Sequence, residues 1–422
     1  MKLFFTILCL FNNFCDMNVI LDHFPNLSDD QKNKFFDLAI KSIQKDADTI
    51  LEANQADIQQ AKENNKDEAF IDRLALDNER LHGICDTLEA IKSFEDPVGK
   101  VLATWDRPNG LNISRVATPL GVIGLIFESR PNVAADAGGL CLKSGNAVIL
   151  RSGKDGLRSA EAIVASLQAA LVSADLPKEC IQIVPSESRD AATLMLEGLN
   201  GSIDVIVPRG GKSLVAEVER SAKVPVFGHL EGICHIYIDE HADLEKSYSV
   251  VENAKMRRTG ICGATETLLV NKNVAHAFLP LMHSKLNKLG CEIVGDEITQ
   301  SIIPNIGLAT EDDWSTEYLA PKLSIKIVED IYDAINHIEK FGTEHTDAIM
   351  TENKTNADIF TGSIDSAIVM VNASTQFADG GEFGLGAEIG ISTGRLHARG
   401  PVGAEQLTSF KYVVHGNGQI RS

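Results

Sequence analysis

Between residues 122 and 220 the chain alternates short apolar runs with longer segments of helical periodicity, four times in succession. The strand-like runs are 122–127, 147–150, 181–184 and 203–207, and the helix-like segments are 134–142, 156–173, 188–199 and 212–220. Short apolar runs without polar alternation suit strands covered on both faces, the condition of a parallel sheet. Four βα units in a row therefore predict an α/β fold with a doubly wound parallel sheet, its crossovers right-handed. Ligands of such sheets bind at the carboxyl ends of the strands. That makes candidates of four loops: Glu128-Ser-Arg-Pro-Asn132, Arg151-Ser-Gly-Lys-Asp155, Pro185-Ser-Glu-Ser188 and Pro208-Arg-Gly-Gly-Lys212.

On either side of this core the pattern changes. Ser28 followed by Gln31 is a capping-box signature, and Phe36, Ile40, Ile43, Ala47, Ile50 and Leu51 recur at helical spacing, so 28–65 reads as a helical lead-in. In 106–121, Pro108, Asn109, Gly110, Pro119 and Gly121 punctuate a β-like run at 111–116, which suggests an arm or hairpin outside the core. A second α/β stretch runs from Cys234 to about Val371, and the tail from Gln376 is rich in glycine and arginine before a strand-like run at 407–414.

A chain of 422 residues with a formal net charge of −20 has room for two or three domains. Its acidity excludes the broad basic surface needed for nucleic acid or anionic membrane, so an anionic ligand must be drawn in by local clusters of Arg, His and Lys. The first eleven residues imitate a signal peptide, yet the apolar run is too short to span a bilayer and no small-residue cleavage site follows. We expect a misassigned start, with Met17 opening the soluble sequence, or an untidy extension. No other stretch is a candidate membrane span.

Among the eight cysteines, Cys262 has surroundings suited to chemistry. A polar, helix-like run carrying Lys255, Arg257 and Arg258 leads into it, Gly260 and Gly263 flank it, and a strand-like run at 266–270 follows. This reads as a thiol on a tight turn, where cations and free backbone N–H groups favour the nucleophilic thiolate. On residues alone, such a thiol is either a packed side chain or a nucleophile. Cys85, Cys141, Cys180, Cys234 and Cys291 lie in apolar or strand-like settings and read as small buried hydrophobes. No C-x-x-C pair and no Cys/His array of zinc spacing occurs, so neither a redox dithiol nor a metal site is expected, and unpaired thiols suggest a reducing compartment.

Other constellations are weaker. Pro208-Arg-Gly-Gly-Lys-Ser213 ends like a phosphate-binding P-loop, but that motif needs glycine where Ile206 stands. What remains is a Gly-Gly turn at a helix start, either a plain strand-to-helix turn or a seat for a cofactor's phosphates or nicotinamide. No G-x-G-x-x-G follows the early strands. Arg130, Arg395, His397 and Arg399 concentrate positive charge in loops, a pattern suited to carboxylate or phosphate, although Arg395 and Arg399 equally suit loop structure or subunit contacts. His345 stands in a polar turn after an amphipathic helix, where exposure is the ordinary expectation.

Together these segments resemble the aldehyde dehydrogenase superfamily and, within it, the γ-glutamyl phosphate reductase family, from about Leu27 to the C-terminus. The most specific piece is 328–349, supported by Phe127-Glu-Ser-Arg-Pro-Asn132, His229-Leu-Glu-Gly-Ile-Cys-His235, 253–267 and Leu396-His-Ala-Arg-Gly-Pro401. The resemblance implies Cys262 as nucleophile, Asn132 as oxyanion-hole amide and Glu317, in Glu317-Tyr-Leu-Ala-Pro321, as the group holding the nicotinamide ribose. Arg151 stands where the family's lysine meets the adenosine ribose, a cation suited to the 2′-phosphate of NADPH. Pro208, Arg209, Gly210 and Gly211 complete the expected cofactor contacts, and Arg130, His229 and His345 are assigned to substrate. Hydrolytic members carry a glutamate base where this chain has His229, and its loss fits a reductase, which must keep water from a thioester.

The implied reaction is NADPH-dependent reduction of γ-glutamyl phosphate to glutamate 5-semialdehyde in proline biosynthesis, with a cytoplasmic location. A homo-oligomer built through the β arm and transient contact with glutamate 5-kinase are the implied partners. The implied organisation is a doubtful extension at 1–16, a cofactor domain at 17–105 and 122–232, and a catalytic domain at 233–375. An oligomerisation arm takes 106–121 and 407–422, and active-site and interdomain loops take 376–406. A hydrolytic aldehyde dehydrogenase and a non-catalytic protein of the same fold are the rival readings.

Overall fold

The computed structural model describes residues 27–385 and 387–421. The extension expected at 1–16 lies outside them. The chain forms two compact units: one runs to Gly228 and takes in Gly384–Gly390 and Val402–Ser422, and the other comprises His229–Phe383 and Ile391–Pro401.

The first unit opens with four helices: α1 (Asp29–Lys45), α2 (Ala47–Glu63), α3 (Glu68–Leu74) and α4 (Asn78–Lys92). The expected capping box forms, with the Ser28 side chain and backbone exchanging bonds with Gln31. α1 buries Phe35, Phe36, Ala39 and Ile43 at helical spacing. Its buried Lys32 donates from Nζ to the Asp96 carboxylate at 2.7 Å and to the Lys143 carbonyl at 2.9 Å, partners that offset the lowering of its pKa by burial.

Next come β1 (Val101–Asp106) and β2 (Asn112–Pro119), then β3 (Val122–Phe127), α5 (Val133–Lys143), β4 (Ala147–Ser152), α6 (Leu157–Ser173), β5 (Ile181–Ile183), α7 (Arg189–Leu196), β6 (Val205–Arg209) and α8 (Lys212–Ser221). Strands β3 to β6 form a parallel sheet in the order β5-β4-β3-β6. From β3 the chain moves outward to β4 and β5, then returns to lay β6 on the other side, so the order reverses between β3 and β6. β6 runs on through Pro208 and Arg209, residues the sequence reading left in the loop. A proline is accommodated because β6 is an edge strand of this sheet.

The arm is a three-stranded antiparallel sheet in the order β1-β2 and then the C-terminal strand Thr408–His415. Val101–Asp106 lies ahead of the expected boundary at 106. Five of its six residues are exposed, so no core imposed an alternation that a sequence reading could detect.

The second unit contains β7 (Cys234–Ile238), α9 (Leu244–Met256), β8 (Thr265–Asn271), α10 (Lys272–Lys288), β9 (Glu292–Gly295), α11 (Glu297–Ile302), β10 (Gly307–Leu308), α12 (Glu311–Trp314), β11 (Lys322–Val328), α13 (Ile331–Phe341), β12 (Thr346–Met350), α14 (Lys354–Ser363) and β13 (Ile368–Val371). The seven strands are parallel throughout, in the order β10-β9-β11-β8-β7-β12-β13. Successive side chains feed opposite layers: Ile236, Leu268 and Ala348 join a core with Val251 and Phe278, while Tyr237, Leu269 and Ile349 join Ile338 and Phe360. Two covered faces explain why these strands read as continuous apolar runs. Losing one fully buried ring, such as Phe278, costs about 3–5 kcal/mol. Short strands β14 (Ile391–Ser392) and β15 (Gly400–Pro401) pair antiparallel, and Thr408–His415 is β16.

Candidate active site

Three residues far apart in sequence meet in the second unit. His229 precedes β7, Cys262 precedes β8 and His345 immediately precedes β12, and the sheet order places these three strands side by side as β8-β7-β12. The three residues therefore gather at the amino ends of neighbouring parallel strands. Cys262 Sγ and one nitrogen from each imidazole all lie within 4.8 Å of one another. The two rings meet edge to face with centroids 4.7 Å apart.

Local structure fixes each member. Cys262 rides a tight turn closed by the Ala264 N–H donating to the Ile261 carbonyl at 3.0 Å, and it is half-buried. Gly232 is required beside it, because a Cβ at that position would stand 2.2 Å from the Cys262 carbonyl oxygen. The Gly232 N–H donates to Glu317 Oε1 at 3.0 Å. The Cys234 thiol donates to the Cys262 carbonyl at 3.1 Å.

His229 Nδ1 lies 2.7 Å from the Ile391 carbonyl. A carbonyl only accepts, so Nδ1 carries a proton. His345 is wholly buried, against the exposure expected of a turn histidine. The reason is that its turn folds inward: Glu344 adopts a left-handed φ of 58°, and the Ala367 and Ile368 N–H groups bond to the Glu344 and His345 carbonyls. His345 Nδ1 meets the Thr346 hydroxyl at 2.9 Å, and Nε2 is buried without a partner.

The cations expected to favour the thiolate are committed elsewhere. Lys255 and Glu266 form a fully buried pair 2.5 Å apart, with burial pushing the Glu266 carboxyl above its ordinary range. Arg257 and Arg258 are exposed. Arg395 and Arg399 are bound by Glu344 and Asp365, at 2.7 Å for Arg395–Asp365 and 2.6 Å for Arg399–Asp365, so they brace the turn carrying His345. The His229 and His345 imidazoles each bring a nitrogen within 4.8 Å of the thiol.

In the first unit the candidate loops lie where expected, at the carboxyl ends of β3, β4 and β6. Asn132 caps the start of α5, and its amide donates to Asp136 Oδ2 at 2.8 Å, which orients it. Burial raises the Asp136 carboxyl to about 6. Arg130, just before it, is half-buried. Gly210 and Gly211 form the turn into α8, where the Gly211 N–H donates to the Glu128 carboxylate at 3.1 Å, so an acid of the chain itself sits at this helix start. Arg209 ends β6 opposite Phe127. Arg151 near the end of β4 has a buried Nε without a partner, and burial lowers its pKa against the opposing Glu128 carboxylate, with the Arg189 guanidinium as a lesser cause.

Cys85, Cys141, Cys180, Cys234 and Cys291 are all buried, and burial raises each thiol, Cys291 to about 11. Among the described cysteines only Cys262 is not buried. Sequence reasoning missed Asp136, Glu128, Arg189 and Cys234 as neighbours of the candidate residues. Asp136 was findable, four residues after Asn132 on one helix face; the others become neighbours only through tertiary folding.

The profile of the aldehyde dehydrogenase family matches residues 40–303. A γ-glutamyl phosphate reductase of Parvibaculum lavamentivorans is 55% identical over 391 residues, 93% of this chain and 92% of its own length. One of Brucella suis is 56% identical over 392 residues, covering 93% of each chain. The crystal structure of γ-glutamyl phosphate reductase from Thermotoga maritima superposes with a TM-score of 0.95 at 43% identity, over 98% of this chain and 100% of that one. The chain thus belongs to the aldehyde dehydrogenase family and, within it, to the oxidoreductases of the γ-glutamyl phosphate reductase family.

Proposed function

We propose that this chain reduces γ-glutamyl phosphate to glutamate 5-semialdehyde and phosphate with NADPH, through a thioester on Cys262, in proline biosynthesis. The observation that carries this reading is the accessible Cys262 thiol gathered with His229 and His345 at three adjoining strand starts. Membership of the family, whose relatives carry the matching name, supports the substrate.

Cys262 gives up its proton to an adjacent imidazole and attacks the acyl carbon, phosphate leaves, and the acyl group stays on sulfur. The Cys262 N–H and the Asn132 amide are the proposed oxyanion donors, with Asp136 setting the Asn132 orientation inside its own unit. Arg130, His229 and His345 are assigned to the substrate's anionic groups. His229 occupies the position of the hydrolytic members' glutamate, which leaves the thioester without that water-activating carboxylate.

The family's cofactor is a nicotinamide dinucleotide, and Arg151, with its buried unpartnered Nε and Arg189 nearby, suits an anionic 2′-phosphate. Pro208, Arg209, Gly210, Gly211 and Glu317 are the further cofactor contacts proposed. When bound, NADPH supplies the hydride. Exposed Trp105, Phe410, Tyr412 and Val414 leave apolar surface on the β1-β2-β16 sheet, which supports a homo-oligomer built through this arm. Contact with glutamate 5-kinase would shield a labile acyl phosphate. Among the described residues no helix is long and apolar enough to cross a membrane. A cytoplasmic site of action is part of the proposal.

The decisive assay follows NADP+ reduction with glutamate 5-semialdehyde and inorganic phosphate. Signal should vanish when phosphate is omitted; phosphate-independent reduction would instead mark a hydrolytic dehydrogenase.

A further inference from the structure

We propose that Cys262, His229 and His345 also form a capture site for a thiophilic divalent cation, Zn2+ by its chemistry, which holds the nucleophile idle until the ion is removed. Among the described residues this is the one group of three His, Cys, Asp or Glu side chains whose ligand atoms gather within 4.8 Å. One thiolate and two imidazoles with a fourth position open is a donor set that zinc takes in proteins.

Two observations favour an ion over chance proximity. The first is His345 Nε2, a polar atom of a fully buried side chain that has no hydrogen-bond partner. A ligated ion would satisfy it, and the desolvation cost of leaving it bare would disappear. The second is the anchoring of the rings. Ile391's carbonyl holds a proton of His229 at Nδ1, so an ion would have to be met by Nε2, while the Thr346 hydroxyl meets His345 Nδ1. Outer hydrogen bonds of this kind orient histidine ligands.

The fit requires a modest movement. Zinc at about 2.3 Å from sulfur and about 2.05 Å from nitrogen sets ligand atoms roughly 3.4–3.6 Å apart, so the present 4.8 Å envelope closes by about 1 Å. Cys262 is half-buried on a turn, so side-chain rotation there can supply the closure. Binding takes the thiol as thiolate, and its proton goes to solvent. Sequence spacing gave no sign of this site, because its members stand at 229, 262 and 345 and meet only through strand order.

As a block on turnover the inference rests on Cys262 being the nucleophile; as a binding site it rests on geometry alone. The test titrates Co2+, a spectroscopic stand-in for Zn2+, into the reduced full chain. One equivalent should bind with a thiolate-to-cobalt charge-transfer band that is absent in Cys262→Ser and whose affinity is about tenfold or more weaker in His345→Ala. His229→Asn, at a half-buried position, provides the same readout should His345→Ala fail to fold. In parallel, Zn2+ at ten times its dissociation constant should slow iodoacetamide labelling of Cys262 about tenfold by occupancy, with full recovery after a chelator.

No band, a band that survives Cys262→Ser, or an affinity unchanged in both histidine variants would overturn the site. A band without phosphate-dependent turnover would leave the site standing and remove the reductase reading. Turnover without a band would do the reverse.

Discussion

The two parallel sheets of this molecule present their candidate residues at opposite ends. In the first unit, Asn132, Arg151 and Gly210 follow β3, lie near the end of β4 and follow β6, at the carboxyl ends that doubly wound sheets ordinarily use. In the second, His229, Cys262 and His345 precede β7, β8 and β12, at the amino ends. The difference is one of anchoring. A residue after a strand inherits its place from that strand and the helix start that follows, whereas a residue before a strand depends on side-chain bonds and close backbone contacts with its neighbours. The amino-end cluster accordingly leans on Gly232 against Cys262, Ile391 against His229, and Thr346 against His345.

The largest effect expected is at the sulfur itself. Cys262→Ala should lose about ten-thousandfold or more of turnover while its thermal melt stays near wild type, because the thiol packs no core. Near-normal activity in that variant would dissolve the amino-end site altogether. Next is a paired glycine test of the anchoring argument. Gly232→Ala pushes a methyl into the Cys262 carbonyl and should cost about a hundredfold in kcat/KM by misplacing the nucleophile. Gly211→Ala, at a φ of −72° with the nearest atom 3.9 Å from its Cβ, should change stability by less than about 0.5 kcal/mol. Equal melting temperatures and equal Cys262 reactivity in the two variants would erase the contrast.

The same contrast explains what the sequence disclosed. Hydrophobic runs marked β3 residue for residue and β4 to β6 to within two residues at each end, and the loops after them came with the strands, since each is local to its βα unit. Cys262 was legible from its glycine-flanked turn. Its surroundings were not: Lys255, Arg257 and Arg258 are near it in sequence, yet Lys255 is spent on buried Glu266, Arg257 donates to the Gln376 side chain at 3.3 Å, and Arg258 is exposed. His345 looked like a surface turn because nothing local shows that Glu344 takes a left-handed φ and that Arg395 and Arg399, some fifty residues on, clamp its side chain. Strand β1 was missed for the opposite reason, having no buried face to leave a pattern.

Arg151 tests the carboxyl-end region with a smaller effect. Arg151→Gln should raise KM for NADPH about tenfold and leave KM for NADH nearly unchanged, as expected for one charge-assisted contact to the 2′-phosphate. Steady-state kinetics with both cofactors decides it. An equal rise for both would remove Arg151 from the 2′-phosphate.

The smallest effect separates the two regions by pH. The anchors of the amino-end cluster are a carbonyl and a hydroxyl, which do not titrate, whereas Asn132 is oriented by Asp136, which does. Burial holds the folded Asp136 carboxyl at about 6, above the 3.8 of an unfolded chain. The stabilisation from keeping this acid protonated is therefore complete below about pH 4 and is lost as the pH rises through 6. Between pH 5 and pH 7 the loss amounts to about 1 kcal/mol. Asp136→Asn cannot ionise, so wild type should lose about that much stability relative to the variant over the same interval, read as the difference between their melting curves. Parallel curves would mean that Asp136 ionises without penalty and that its hold on Asn132 is no more pH-sensitive than the carbonyl's hold on His229.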